Sequence, residues 1–203
     1  MDRAPVSLDE VIATAALDQR PPRLADRSVE ARAMRELQRA LAGSPRALLQ
    51  RLAEVALELC AAHSAGVSLL EEADGRRVFR WHAVAGRWAE LVWSTLPRDG
   101  SPCGTVLDRR AALLMIDPER HFAPLGQLSP PVVEALLVPF GPEAAPVGTV
   151  WVISHEAGRR FDREDRRIVT ALTRFAADAY ARLRSLSRDH LLDLSRLHRE
   201  SPP

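Results

Sequence analysis

The chain contains no lysine and no asparagine; all 28 of its basic residues are arginine. A Walker-type phosphate loop and a Schiff-base enzyme each need a lysine, and kinase catalytic sets need both missing residues, so these classes are excluded. The missing asparagine also excludes a sensor-kinase ATP-binding domain, which sets that residue beside its magnesium ion. Cysteine is scarce: Cys60 and Cys103 are the only two, which suits a reducing cytoplasm better than a disulfide scaffold. There is no basic start followed by a long apolar run, as a signal peptide would have. No apolar run approaches the roughly 20 residues of a membrane span. A soluble, cytoplasmic protein is expected. The 28 basic and 27 acidic residues leave a net charge of +1, with no basic excess gathered on one face, so neither nucleic acid nor membrane is expected as a partner. Histidine and cysteine spacing forms no zinc pattern, and no metal site is expected. No internal repeat appears.

What is present is enough for one domain with flanking helices: 203 residues, 46% of them hydrophobic. Met1 to Asp26 holds a short apolar patch capped near Ser7 and a Pro21-Pro22 break, and reads as the least ordered end. Ser28 caps a helix carrying Met34, Leu37 and Leu41, which Gly43 stops. Ser44-Pro45 starts another, with Leu48, Leu52, Val55 and Leu59 in a stripe, Cys60 in its core and Gly66 at its end. Val67 to Glu72 reads as a strand, and Asp74-Gly75 as a hairpin turn into Val78 to Val84, where alternation puts Phe79, Trp81 and Ala83 on one face. Arg87 to Leu96 has helical spacing. Ala111 to Ile116 is a short strand, Glu119 to Pro131 a proline-rich loop, and Val132 to Phe140 a buried strand in which Pro139 must sit where no ladder N–H is needed. Val147 to His155 is apolar on both faces and therefore central. Asp162, with Asp165 three residues on, caps a long last helix in which Ile168, Leu172, Phe175, Ala179, Leu183 and Leu186 recur at helical spacing. This order builds an α+β domain: an antiparallel sheet with terminal helices on one face and loop helices on the other.

Chemistry, if any, centres on Arg98 to Asp108. Asp99-Gly100 is a turn, Ser101 an N-cap and Pro102 a first helical residue, so Cys103 lies in a helix's first turn. Free backbone N–H groups there favour negative charge and lower the expected thiol pKa, helped by Arg98, Arg109 and Arg110 if they fold back. Glu71-Glu72 and Glu164-Asp165 fall at a strand end and a helix start, where solvation or capping suffices. The pairs Arg76-Arg77, Arg109-Arg110, Arg159-Arg160 and Arg166-Arg167 are dispersed and read as solvated surface.

Taken together, Leu48 to Ala56, Ala65 to Leu69, Ser101-Pro102-Cys103-Gly104-Thr105-Val106, Leu136 to Phe140, Val147 to Val152 and Arg160 to Asp165 resemble a GAF domain, of the type found with bacterial sensor kinases. The likeness runs from about Pro45 to Leu183. It implies an N-terminal extension over 1–27, partly ordered, a GAF domain with long end helices over 28–188, and a helical tail over 189–203. It also implies a ligand pocket between sheet and loop helices, near Trp81, His82, Trp88, Trp93, Pro102, Cys103, His121, Phe122, Leu137 and Trp151, and end helices that pair into a homodimer. The function implied is that of a non-enzymatic sensor that binds a small molecule and signals to a separate partner such as a histidine kinase. No cofactor is identified.

Three alternatives stand beside it. One is a structural dimerisation module whose pocket is filled by side chains, since clustered tryptophans also anchor cores. A second is the methionine sulfoxide reductase branch of the family, which shares the Cys103-Gly104 pair but needs a further cysteine in the loop entering the next strand, and Glu119 to Glu134 has none. The third is a bilin or haem sensor, using Cys103 with His121, or an axial His82, His121 or His155. Bilin-binding members place histidine directly after the attaching cysteine, and here that residue is Gly104.

Overall fold

The computed structural model describes the backbone of residues 6–197 and the side chains of 6–183 and 185. Two single-turn helices, α1 (Leu8–Val11) and α2 (Ala16–Gln19), precede α3 (Arg27–Arg39) and α4 (Pro45–Leu59). A hairpin of β1 (Ser64–Ala73) and β2 (Arg76–Gly86) follows, then β3 (Thr95–Pro97), α5 (Pro102–Arg109), β4 (Leu113–Ile116), β5 (Glu134–Phe140), β6 (Gly148–Ser154) and α6 (Arg163–Leu197). The strands form one antiparallel sheet in the order β3-β2-β1-β6-β5-β4.

Local chemistry sets most of these boundaries. Asp74 and Gly75 take φ of 52° and 70°, the left-handed pair that a tight hairpin turn requires. Ser44 Oγ accepts from the Ala47 N–H at 3.2 Å, with Pro45 opening α4. At the start of α6, Asp162 accepts from the N–H groups of Glu164 and Asp165 while Asp165 accepts from that of Asp162, a reciprocal cap. Pro139 lies beyond the last β4–β5 pair, Leu113 with Leu137, so β4 asks nothing of it.

The sheet separates two apolar clusters. On one face α3, α4 and α6 bury Leu37, Leu52, Cys60 and Leu172 against Leu136, Val150 and Val152. On the other, α1, α5 and the loop between β4 and β5 bury Val11, Val106 and Leu125 against Trp81, Leu137, Trp151 and Ile153. β6 is buried along its whole length, which is the reason its sequence shows no polar alternation.

Several sequence expectations are corrected. Asp26, not Ser28, is the cap of α3, accepting from the Ser28 and Val29 N–H groups. α4 stops at Leu59, and Gly66 stands inside β1, where a Cβ would lie 2.3 Å from the Trp151 ring and 2.6 Å from the Ala83 carbonyl oxygen. The segment from Arg87 to Leu96 is not a helix. Only Ala89–Leu91 makes a 3-10 turn, after which Trp93 adopts a φ of 74° and the chain returns as β3 along β2. Phe79, Trp81 and Ala83 do not share a face. Val67 pairs with Ala83 and Ser68 with Trp81, so His82 is an extra residue in β2, and the alternation switches there. Phe79 and Trp81 face the loop side, Ala83 and Ala85 the helices. The loop after β4 contains two 3-10 turns, Pro118–Arg120 and Ala123–Gln127. In α6, Ile168, Leu172 and Ala179 are buried in the domain's own core, so this part of the stripe is not free for pairing. The Leu186 side chain lies outside the described residues.

The N-terminal segment expected to be least ordered runs from residue 6 along the edge of β4. Val6 N–H donates to Arg120 O, Ala13 N–H donates to Leu114 O, and Ile12 bridges Met115. Val11 enters the loop-side cluster and Leu17 the helix-side cluster, both fully buried. Arginines then anchor the segment to the start of α6. Arg20 makes two hydrogen bonds, 2.8 and 2.9 Å, to the buried Glu134 carboxylate, which also accepts from the Phe161 N–H. Arg23 and Arg159 both bind the fully buried Asp165. Arg159 is thus structural, not solvated surface, and Asp165 does more than cap.

Removing one member of a buried pair leaves the other charge uncompensated. Arg20→Ala is expected to destabilise the protein by about 3 kcal/mol in chemical denaturation, with part recovered in Arg20→Ala/Glu134→Gln. A loss within the error of the wild-type value would show that the segment does not hold the fold.

Candidate functional site

The loop-side cluster encloses a cavity of about 30 Å³. Sheet, helix and loop each contribute walls: Trp81 from β2, Leu137 from β5, Trp151 and Ile153 from β6, Pro102 and Cys103 from α5, and Trp88, Leu125 and Val132 from the connecting loops. The indoles of Trp81 and Trp88 stack at 5.6 Å, and Trp151 closes against them at 5.2 and 6.2 Å. The backbone of β1 allows this, because the Trp151 ring lies over Gly66, and Trp151 Nε1–H donates to Ser68 Oγ at 2.9 Å.

Six of the ten residues expected at the pocket line it: Trp81, Trp88, Pro102, Cys103, Leu137 and Trp151. Four do not. Phe122 is buried in the surrounding cluster without reaching the cavity, and His121 hydrogen-bonds Val6 O through Nδ1 at 2.7 Å. His82, displaced by the bulge, contacts Glu71 Oε1 at 2.5 Å and lies in an outer groove beside the start of α4. Trp93 is 39% exposed and sits under the Arg46 guanidinium. Leu96, Leu125, Val132, Ala135 and Ile153 were not singled out from sequence. Of these, Ala135 and Ile153 were readable, since period-two alternation places them with Leu137 and Trp151.

Cys103 sits where expected, with Ser101 Oγ accepting from the Gly104 N–H at 3.2 Å, but its thiol is corrected in the opposite direction. Burial pushes the thiol pKa up, outweighing the hydrogen bonds from Thr149 and Ser68 that favour the thiolate. None of the three nearby arginines offsets the burial, and Arg98 folds onto Asp108 instead. Gly104 is fixed by packing: a Cβ there would stand 2.0 Å from the Arg98 carbonyl oxygen, so histidine cannot occupy that position. Cys60 lies in the helix-side core with the sheet between it and Cys103, so the two sulfurs do not meet. As enclosed here, the space suits roughly one or two water-sized molecules, and a haem, bilin or nucleotide does not fit.

The far end of the loop is tied to the sheet by a polar chain. Trp88 N–H donates to Ser64 Oγ, and Ser64 Oγ lies 2.8 Å from His155 Nε2. His155 Nδ1 is 2.7 Å from the Pro131 carbonyl, and Trp88 Nε1–H donates to the Pro130 carbonyl. A carbonyl only accepts, so Nδ1 carries a proton, and in the neutral ring Nε2 accepts from Ser64. Burial lowers the His155 pKa below its ordinary 6.5, against the Pro131 hydrogen bond.

A histidine depressed in the folded state contributes stability that is complete above its unfolded pKa and is lost as pH falls below it. Stability is therefore expected to fall as pH drops from about 6.5, by at most about 1.4 kcal/mol per pH unit from this one proton. His155→Gln is expected to flatten that part of the denaturation-versus-pH curve. Identical slopes in both proteins would refute the neutral latch.

Among the described residues no helix is long and apolar enough to cross a membrane, and no cluster of metal-ligating side chains forms. Curated protein sequences give no match. Among solved structures, the GAF domain of an Acinetobacter phosphoenolpyruvate-protein phosphotransferase is similar with a TM-score of 0.64 at 18% identity, over 78% of this chain and 93% of that one. The second GAF domain of DevS from Mycobacterium smegmatis gives 0.53 at 22%, over 73% and 99%. A free methionine-R-sulfoxide reductase from Neisseria meningitidis, solved with its substrate, gives 0.59 at 14%, over 82% and 98%. These identities support the fold alone. The GAF domain family model matches residues 42–181, and the chain belongs to the GAF domain family.

Proposed function

We propose that this chain is a non-enzymatic sensory or regulatory GAF module of the cytoplasm that binds a small molecule in the tryptophan cavity and reports it through its end helices. The observation that carries this reading is the continuous path from cavity to α6. The loop over the cavity is bonded to residue 6 of the N-terminal segment, Val11 of that segment is buried in the cavity cluster, and Arg20 and Arg23 grip the start of α6. A ligand that favours one loop arrangement biases α6 by its differential affinity for the two states. The end helices pair with a second copy, and a separate partner such as a histidine kinase receives the signal.

The small cavity also favours a second reading, a dimerisation module whose interior is filled by its own side chains. A reductase is disfavoured by a buried thiol with raised pKa and no second cysteine on its side of the sheet.

Sedimentation equilibrium of the full chain at micromolar concentration is expected to give a dimer. A monomeric wild type would overturn the coupling. NADPH-coupled turnover of free methionine sulfoxide with a thioredoxin system is expected to be nil; turnover that Cys103→Ser abolishes would make this an enzyme.

A further inference from the structure

We propose that the occupant of the tryptophan cavity is an uncharged, apolar molecule of a few heavy atoms, held by packing without any hydrogen bond. This rests on the reading of that cavity as the ligand site and names the class of ligand. The wall is made of Trp, Leu, Ile, Val, Ala, Pro and Cys side chains, with no acidic, basic, hydroxyl or amide group among them. Its polar atoms are engaged elsewhere or sealed. Trp88 Nε1–H donates to Pro130 O at 3.1 Å, and Trp151 Nε1–H to Ser68 Oγ at 2.9 Å. Cys103 Sγ accepts from Thr149 Oγ1 at 3.2 Å. Trp81 Nε1 has less than 1 Å² accessible, so the space does not reach it. The surface that a guest meets is therefore apolar.

That surface selects by exclusion as well as by attraction. A charged ligand would lose its hydration with nothing to replace it, and a hydroxyl or amide would be buried without a partner. Water is a poor occupant too, because a buried water needs two to four polar partners. An apolar guest loses nothing on entry, and it gains contact with three indoles and the Cys103 sulfur. The hollows beside α6 and β2 are different, since they carry charged side chains such as Arg174, Glu72 and Arg46. The volume of about 30 Å³ limits the guest to roughly two or three heavy atoms. A guest of that size binds at best with roughly millimolar affinity.

The test uses the full chain with 15N-labelled indoles, whose four signals report the four tryptophans. Ethane, supplied under pressure, and methanol, its isostere with a hydroxyl in place of one methyl group, are titrated separately. Ethane is expected to move the Trp81, Trp88 and Trp151 signals to saturation, while Trp93, outside the cavity, stays in place. Methanol is expected to bind at least about tenfold more weakly, the ratio set by burying an unpaired hydroxyl. Ala135→Val, which adds bulk to the wall, is expected to abolish the ethane shifts. Shifts of the same size in that variant, folded, would place the ethane elsewhere and overturn the assignment. The wild-type comparison stands even if the variant does not fold. Methanol moving the three cavity signals at the concentrations at which ethane does would overturn the apolar rule and leave the cavity reading intact. No movement of any cavity signal with either probe would overturn the cavity reading itself.

Discussion

The seating of the Trp151 ring across Gly66 is the contact on which the rest of the cavity depends. β1 and β6 are neighbours at the centre of the sheet, and only a residue without Cβ lets an indole lie flat over the strand beside it. Once there, Trp151 is oriented by Ser68, forms the floor for Trp81 and Trp88, and faces Cys103 on α5. The Trp151 wall of the cavity is thus seated on the two central strands, and the loop between β4 and β5 crosses above them.

The two faces of the sheet divide the work. The helix side is a continuous apolar core in which the buried part of α6, Cys60 and the stripe of α4 are committed to packing. The loop side carries the aromatic cavity and its polar latch through His155. Around the β4 edge the N-terminal segment joins both clusters, with Val11 on one side and Leu17 on the other. It also covers an edge that would otherwise present unpaired backbone groups. A change at the cavity loop therefore has a short mechanical route to the beginning of α6.

What the sequence revealed follows the range of the forces involved. Asp74-Gly75, Ser44-Pro45 and the Asp162/Asp165 cap are local devices, and their residues announce them. The central place of β6 is legible because burial on both faces removes alternation. The bulge at His82 is not legible, because one extra residue in a strand leaves no mark on composition yet moves His82 out of the site and Ala83 to the other face. The Arg20–Glu134 pair joins residues 114 apart in sequence, and no local pattern betrays it. Cys103 shows the same limit in its chemistry. Its helix position argues for a low pKa, while the burial that decides the matter comes from other strands.

The central claim is that the three tryptophans enclose a space a guest can enter. A crystal of the full chain pressurised with xenon tests it most directly, because xenon occupies apolar cavities without needing a hydrogen bond. The account predicts a xenon peak between Trp81, Trp151 and Cys103. Xenon bound only elsewhere, or not at all, would contradict it.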